Sequence, residues 1–485
     1  MTHDPAALYN AYASRDPRFD GVFFVGVTST GIYCRPVCTA RTPKPSNCRF
    51  FTSAAAAEQA SFRPCMRCRP ELAPGNAPVD GAGRVAGRIA HRIAEGLPAE
   101  NGGLEALASE FHMSARQLRR VVREELGVSP IQLVLTRRLL LAKQLLTETS
   151  LPVIDVAYSS GFSSLRRFND AFRRRYGMPP TALRKRVAEP AAGPLPDVEP
   201  LTLRLAYRPP FDWEGVLAFL GMRTLKGVER VRQDEYVRTA RMGHHVGWLR
   251  VRHAPAERVL LVDLTPSLAP VLPSVLARLR HLFDLSARPD LIAEALSRDG
   301  RLAAAVARRP GLRVPGAFDG FELAVRAILG QQVTVKGATT LAGRFVDAFG
   351  EPVATPYPEL TRAAPTPELV AAAEVAQVAA LGIPRARAAT IVALAGEVAS
   401  GRLRLDAGGD AAAVIDQLVA LPGIGPWTAQ YVAMRALRWP DAFPKEDVAL
   451  RKRLGGVRPA EAERQSQVWR PWRSYAVLHL WQRSA

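Results

Sequence analysis

Leu421-Pro422-Gly423-Ile424-Gly425-Pro426-Trp427-Thr428-Ala429 reads as a tight, glycine-rich hairpin that opens a helix. Gly423 and Gly425 let the backbone turn sharply, and free N–H groups near the helix start can hold a DNA phosphate without reading sequence. Pro426 suits the first helical turn and supplies no donor. Many DNA-binding proteins that are not enzymes carry such a hairpin, so any chemistry has to come from its surroundings. Downstream, Phe443-Pro444-Lys445-Glu446-Asp447-Val448-Ala449-Leu450 offers a carboxylate. Trp469-Arg470-Pro471-Trp472-Arg473-Ser474-Tyr475-Ala476 and His479-Leu480-Trp481 add aromatic rings. Trp427 and Tyr431 fall four apart, on one helix face. The competing reading makes Asp447 a helix cap and the tryptophans core.

The 485 residues exceed one hydrophobic core and suggest about three or four domains. Hydrophobic residues at 48% and charged residues at 23% exclude wholesale disorder. Lys and Arg number 65 against 45 Asp and Glu, a net +20, which points to a polyanion and to nucleic acid before membrane. The Ala-rich stretches are broken by polar residues before they could span a bilayer. No secretory signal is read at Met1-Thr2-His3-Asp4-Pro5, so the expectation is a soluble cytoplasmic protein.

Pro/Gly-rich links at 73–83 and 189–200 and changes of period divide the chain into four expected domains, at 1–76, 82–187, 197–312 and 313–485. The second carries 18 Arg and Lys against 9 Asp and Glu. In the third, Leu201–Leu205, Trp248–Arg252 and Val259–Leu264 predict strands, and Pro270–Phe283 predicts a helix. Helical patterns return from about Pro315 to the end.

Cys34-Arg35-Pro36-Val37-Cys38 and Cys65-Met66-Arg67-Cys68 flank a 26-residue connection. Two close thiolate pairs can close a tetrahedral site, and four soft sulfurs favour one Zn²⁺. Pro36 predicts a turn between the first pair. Most four-cysteine sites are purely structural, and Cys48 reads as an ordinary thiol. The runs Thr30-Gly31-Ile32-Tyr33-Cys34-Arg35-Pro36-Val37-Cys38-Thr39-Ala40-Arg41 and Phe62-Arg63-Pro64-Cys65-Met66-Arg67-Cys68 closely resemble the N-terminal domain of Ada adaptive-response proteins. The resemblance implies that Cys34, a metal ligand with Cys38, Cys65 and Cys68, irreversibly accepts a methyl group from a DNA methylphosphotriester. A metal-held thiolate is the nucleophile this needs. Converting one of four thiolates to a thioether takes the zinc cluster from −2 to −1. Near phosphate each unit of repulsion removed is worth about 1–4 kcal/mol at about 4 Å, so methylation would tighten DNA binding. The same resemblance brings Thr30, Arg41 and Arg63 to the DNA backbone. Thr39 stands where the family often has Arg.

Two helix-turn-helix patterns fill the basic segment. In the first, Phe111-His112-Met113-Ser114 turns into a helix from Ala115 to Leu126 carrying Arg116 and Arg119, stopped by Gly127. In the second, Ser159-Ser160-Gly161-Phe162-Ser163 precedes a helix from Ser164 to Arg175 carrying Arg166 and Arg167. A long helix from about Ile131 to Leu146 would join them. Such arginines can reach base edges in the major groove, though basic helices are commonly just solvated faces. The run Pro152-Val153-Ile154-Asp155-Val156-Ala157 through Gly161-Phe162, Leu165, Phe168, Phe172 and Tyr176-Gly177-Met178-Pro179-Pro180 resembles the AraC-type DNA-binding domain.

The hairpin, the Asp447 and tryptophan segments, and Phe321-Glu322-Leu323-Ala324-Val325-Arg326-Ala327-Ile328-Leu329-Gly330-Gln331-Gln332-Val333 together resemble AlkA-type 3-methyladenine DNA glycosylases. The resemblance extends back to about Leu201. It implies that Asp447 is the catalytic carboxylate, that Trp427, Tyr431 and Trp481 line the base pocket, and that Gly423 and Gly425 meet DNA. Electron-rich rings attract a cationic alkylpurine by about 0.5–2 kcal/mol each. Gln332 stands where the family carries an apolar wedge. Bifunctional relatives carry Lys where Trp427 stands, so no lyase step is expected. No cysteine lies beyond Cys68, so neither an iron–sulfur cluster nor a second methyltransferase is expected.

The implied fold is multidomain and mainly α with α+β parts. It joins a small zinc module, an AraC-type double helix-turn-helix, an α/β AlkA-type N-terminal domain and an all-α helix-hairpin-helix glycosylase domain. The implied function is an alkylation-response activator acting on damaged and promoter DNA and on RNA polymerase. It would be a monofunctional glycosylase and a single-turnover methyltransferase, and no membrane partner is expected. The alternatives are a DNA-binding regulator with an inactive glycosylase-like domain, and an AraC-type metabolite sensor without zinc.

Overall fold

The computed structural model describes residues 4–75, 85–94, 103–187, 200–407 and 410–482, and these fall into two compact units. One takes the chain to Pro209 together with 254–277; the other takes 210–253 and everything from Arg278 on. Most of both expected links, 76–83 and 189–199, lies outside the described residues.

In the first unit, helix α1 (Pro5–Ala13) precedes four short strands, β1 (Phe24–Val27), β2 (Ile32–Cys34), β3 (Cys48–Phe51) and β4 (Arg63–Pro64). Their order is β3-β1-β2-β4, antiparallel except for the β2–β4 pair. Helix α2 (Ala54–Gln59) is capped by Ser53. Next come α3 (Val85–Ala94), α4 (Gly103–Glu110), α5 (Ala115–Leu126), α6 (Pro130–Glu148), α7 (Val153–Ser159), α8 (Leu165–Tyr176) and α9 (Pro180–Val187). Their starts follow from local chemistry: Ser114 with Gln117, and Ser129 with Gln132, form capping boxes before α5 and α6. Gly127, at φ 71°, accepts the left-handed turn that ends α5. Leu107, Leu118, Val122 and Leu133 share one core, and Phe168, Phe172 and Tyr176 line the buried stripe of α8. Each such side chain removed from water contributes about 1.5–3 kcal/mol.

Acidic side chains buried between these elements meet basic or hydroxyl partners. Glu58 of α2 accepts from Tyr33 (3.0 Å) and from Thr136 of α6 (2.5 Å), with Arg175 of α8 at 3.4 Å. Burial nevertheless raises its pKa, against the pull of Arg175. Lys143 of α6, 1% exposed, pairs with Glu71 at 2.7 Å. Strands β5 (Leu201–Ala206) and β9 (Val259–Leu264) pair antiparallel from Leu201↔Leu264 to Ala206↔Val259, with Leu201, Leu203 and Leu205 turned inward.

In the second unit, α10 (Trp213–Gly221) accompanies an antiparallel meander of β6 (Glu229–Arg232), β7 (Glu235–Met242) and β8 (His245–Ala254). The expected strands at 201, 248 and 259 and the helix near 270 are present, the last as α11 (Leu272–Leu282). Strands β6 and β7 were not anticipated. Helices then dominate: α12 (Pro289–Ser297), α13 (Gly300–Arg308), α14 (Gly320–Leu329), α15 (Val335–Phe349), α16 (Pro367–Ala371), α17 (Val375–Ala379) and α18 (Arg385–Ala399). The last five are α19 (Ala411–Ala420), α20 (Pro426–Arg435), α21 (Val448–Arg453), α22 (Pro459–Ser466) and α23 (Arg473–Trp481). Helix α20 packs against α14 and α19, and α21 against α23, so the hairpin and Asp447 sit on buried scaffolding. Buried Arg473 grips Asp441 through Nε at 2.7 Å and caps its carbonyl at 2.7 Å. Among the described residues no helix is long and apolar enough to cross a membrane.

Candidate functional site

Strand β2 delivers Cys34 at its end, and the turn through Pro36 returns Cys38 beside it, with the Cys38 N–H on the Arg35 carbonyl at 3.1 Å. Strand β4 delivers the second pair: the Cys65 N–H donates to the Tyr33 carbonyl at 3.0 Å. All four sulfurs lie within 4.8 Å of one another. A tetrahedral zinc with bonds of about 2.3 Å needs sulfurs about 3.8 Å apart, so the donor set fits the metal. Bound there, zinc would keep the sulfurs deprotonated at neutral pH. The Arg35 backbone N–H already points at Cys68 Sγ, at 3.3 Å. Cys48 stands apart, half-buried, its Sγ 3.5 Å from the Lys44 carbonyl, and burial raises its thiol pKa. Thr30, Thr39, Arg41 and Arg63 are exposed around this module.

On α5, Arg116 and Arg119 face solvent while Leu118 and Val122 face the core; Arg119 lies 3.7 Å from Glu105. On α8, Arg166 and Arg167 are likewise exposed, opposite Phe168 and Phe172. Both arrangements leave the basic face available to a polyanion.

The second unit gathers the remaining candidates. Gly423 turns the hairpin at φ 89°, and Gly425 occupies the cap position of α20 with Pro426 directly after it. Trp427 and Tyr431 stack with centroids 5.3 Å apart and planes 7° from parallel, and the Trp481 ring lies 6.4 Å from Tyr431. Asp447 stands between the two indoles. Its Oδ2 accepts from Trp427 Nε1 at 2.8 Å, and its Oδ1 accepts from Trp481 Nε1 at 3.3 Å and from the Leu450 N–H at 2.7 Å. Asp447 is therefore a helix cap and a held carboxylate at once. Gln331 ties the α14–α15 loop to this site, donating to the Gly423 carbonyl at 3.0 Å and to Thr428 Oγ1 at 3.1 Å. Gln332 follows, exposed and left-handed at φ 54°.

Arg435 was not singled out in the sequence. It donates to the Tyr431 hydroxyl at 2.6 Å and to the Pro315 and Gly316 carbonyls, both at 2.8 Å. Burial pushes the Tyr431 hydroxyl up, but Arg435, Arg223 and Arg326 outweigh it and hold its pKa below the usual 10. The four-residue spacing from Tyr431 along α20 was the available signal.

Four family models match successive parts of the chain: the metal binding domain of Ada at 7–71, a helix-turn-helix domain at 107–186, the AlkA N-terminal domain at 202–319, and the HhH-GPD superfamily of base excision DNA repair proteins at 325–474. A probable bifunctional transcriptional activator/DNA repair enzyme AlkA of Mycobacterium tuberculosis is 42% identical over 490 residues, covering 99% of this chain and 97% of that protein. DNA-3-methyladenine glycosylase 2 of Escherichia coli is 39% identical over 277 residues, covering 57% of this chain and 95% of that protein. Among solved structures, a 3-methyladenine DNA-glycosylase from Archaeoglobus fulgidus is 20% identical, covering 57% of this chain and 96% of that one, with a TM-score of 0.49. With its Ada-type metal module, helix-turn-helix unit and base-excision unit in that order, the chain belongs to the family of bifunctional transcriptional activator/DNA repair enzymes of AlkA type.

Proposed function

We propose that this protein senses alkylated DNA by methyl transfer to Cys34, activates repair genes, and excises alkylated purines of the 3-methyladenine type by hydrolysis. The observation that carries the reading is Asp447 held by two indoles beside the stacked Trp427–Tyr431 pair. The names of the Mycobacterium tuberculosis and Escherichia coli relatives support it. These three tasks would be shared among four domains, at 1–76, 82–187, 197–312 and 313–485, the last two together forming the glycosylase.

In the first reaction the Cys34 sulfur attacks the methyl carbon of a phosphotriester. The C–S bond forms, the C–O bond breaks, and its electron pair leaves on phosphate, restoring an ordinary phosphodiester. Thr30, Arg41 and Arg63 hold the backbone, with Cys38, Cys65 and Cys68 as the other metal ligands. The methylated module then binds DNA more tightly, Arg116, Arg119, Arg166 and Arg167 engage a promoter, and RNA polymerase is recruited.

In the second reaction the damaged nucleotide is flipped from the stack. Its base is received by Trp427, Tyr431 and Trp481, while Gly423 and Gly425 hold the backbone and Gln332 enters the vacated space. The base is cationic, so cleavage lets it depart neutral with the electron pair of the glycosidic bond. Asp447 stabilises the positive charge left on the sugar, water adds, and the water's proton passes to Asp447 or solvent. With Trp427 in place of an amine, no Schiff base forms and the enzyme is monofunctional. The whole operates in the cytoplasm. The test is release of 3-methyladenine from methylated duplex by the full chain and by Asp447→Asn: release by the first alone supports the reading, and release by neither at high enzyme, with folding intact, rejects it.

A further inference from the structure

The cysteine cluster is supported by side chains from far along the chain. Arg35, directly after Cys34, is 8% exposed, and besides its N–H to Cys68 Sγ it sends Nη1 to the Cys68 carbonyl at 3.0 Å. Its guanidinium is gripped by buried Asp20, through Nε at 2.8 Å and through Nη2. Asp20 is gripped in turn: its carbonyl accepts from Nε of Arg208 at 2.8 Å, and Arg208 Nη2 also donates to the Gly75 carbonyl. Arg208 is 0% exposed. It lies just beyond β5, inside the stretch that matches the AlkA N-terminal model. A second support arrives from α6, where Lys143 Nζ donates to the carbonyl of Cys65, itself a cluster residue, at 3.1 Å.

Buried cations that hold a thiolate cluster, directly or through a short chain of hydrogen bonds, act on the ligands by orienting them and by offsetting their charge. Arg208 does the first: with Asp20 immobilised at both its carbonyl and its carboxylate, Arg35 has a single position, and so do the Cys34–Cys38 turn and the Cys68 sulfur bonded to it. We infer that Arg208 is a positioning residue for methyl transfer at Cys34, so that a residue from the glycosylase's N-terminal sequence tunes the sensor's sulfur. This rests on Cys34 being the methyl acceptor.

The test uses the full chain with Arg208→Met and Arg208→Lys. Two properties are read: single-turnover methyl transfer from methylphosphotriester DNA, and the sulfur-to-metal absorption of the Co²⁺-loaded protein. Arg208→Met should lower the maximal transfer rate by about 10–100-fold, as loss of such supports does elsewhere, and leave the half-saturating DNA concentration unchanged. It should also shift the cobalt spectrum, and Arg208→Lys should recover part of both. A wild-type rate and spectrum in Arg208→Met overturns the inference. Should Arg208→Met lose its fold by circular dichroism, Arg208→Lys decides: a reduced rate with a shifted spectrum supports the inference, and wild-type values overturn it. Absence of transfer by the wild type would instead reject the role of Cys34, while the cobalt spectrum would still report on Arg208.

Discussion

Trp427 Nε1 donates to Asp447 Oδ2 at 2.8 Å, and the same indole stacks on Tyr431. One ring thus joins the stacked aromatic surface to the carboxylate, the two parts that the proposed excision would use. Trp481 does the same from α23, at 3.3 Å on the other oxygen. The aromatic cluster and the carboxylate are therefore built as one piece.

Trp427→Phe keeps a ring against Tyr431 but removes the N–H. A hydrogen bond to a charged group is worth about 1.5–3 kcal/mol, so the single-turnover excision rate should fall by about 10–100-fold with binding of damaged DNA little changed. Equal loss in both would make Trp427 a packing residue only.

Asp447 caps α21 through the Leu450 N–H, so its two roles separate by substitution. Asp447→Asn keeps a capping oxygen and should hold stability while excision drops by about 10²–10⁴-fold. Asp447→Ala should lose the same activity and about 1 kcal/mol of stability besides. Thermal midpoints and excision rates measured side by side check both.

Much of this was legible in the sequence where a local rule governs a local outcome. Ser114 and Gly127 bound α5 as expected, and the Pro36 turn brings Cys34 and Cys38 together. Strands β6 and β7 were missed because β6 is half-buried over most of its length and β7 is buried on both faces, so neither shows a period of two. Arg238 on β7 is 2% exposed, paired with Glu229 and Glu322 and lying 4.2 Å over the Phe318 ring, so no alternation shows. Arg435 carried only its four-residue spacing from Tyr431, and Arg208 and Lys143 carried no signal at all. Arg208 and Lys143 spend their charge on backbone carbonyls and on partners distant in sequence, which no pattern of residue types encodes.

Gly423 shows how tightly the hairpin is made. A Cβ there would sit 2.1 Å from Thr390 Oγ1, which itself donates to the Pro422 carbonyl at 2.8 Å, and the residue holds φ 89°. Gly423→Ala should cost about 1–3 kcal/mol and weaken binding to undamaged duplex. Calorimetry and a salt-controlled binding titration check it.

His479 predicts the acid sensitivity of the C-terminal unit. Burial, with help from Arg309, lowers its pKa from 6.5 to about 4. The folded form binds this proton less tightly than the unfolded form, so the contribution of neutral His479 is complete above pH 6.5 and lost as the pH falls towards 4. The swing is about 3 kcal/mol. In urea titrations across that range His479→Gln should lose stability less steeply than the wild type; an identical slope would contradict the assignment.

The most direct test of two repair chemistries in one chain is to follow the methyl groups themselves. Duplex treated with a radiolabelled methylating agent is incubated with the full protein, and label is counted on the protein and as free 3-methyladenine. The account requires both, with Cys34→Ala abolishing only the first and Asp447→Asn only the second. Label that stays on the DNA throughout, with a folded and zinc-loaded protein, would contradict it.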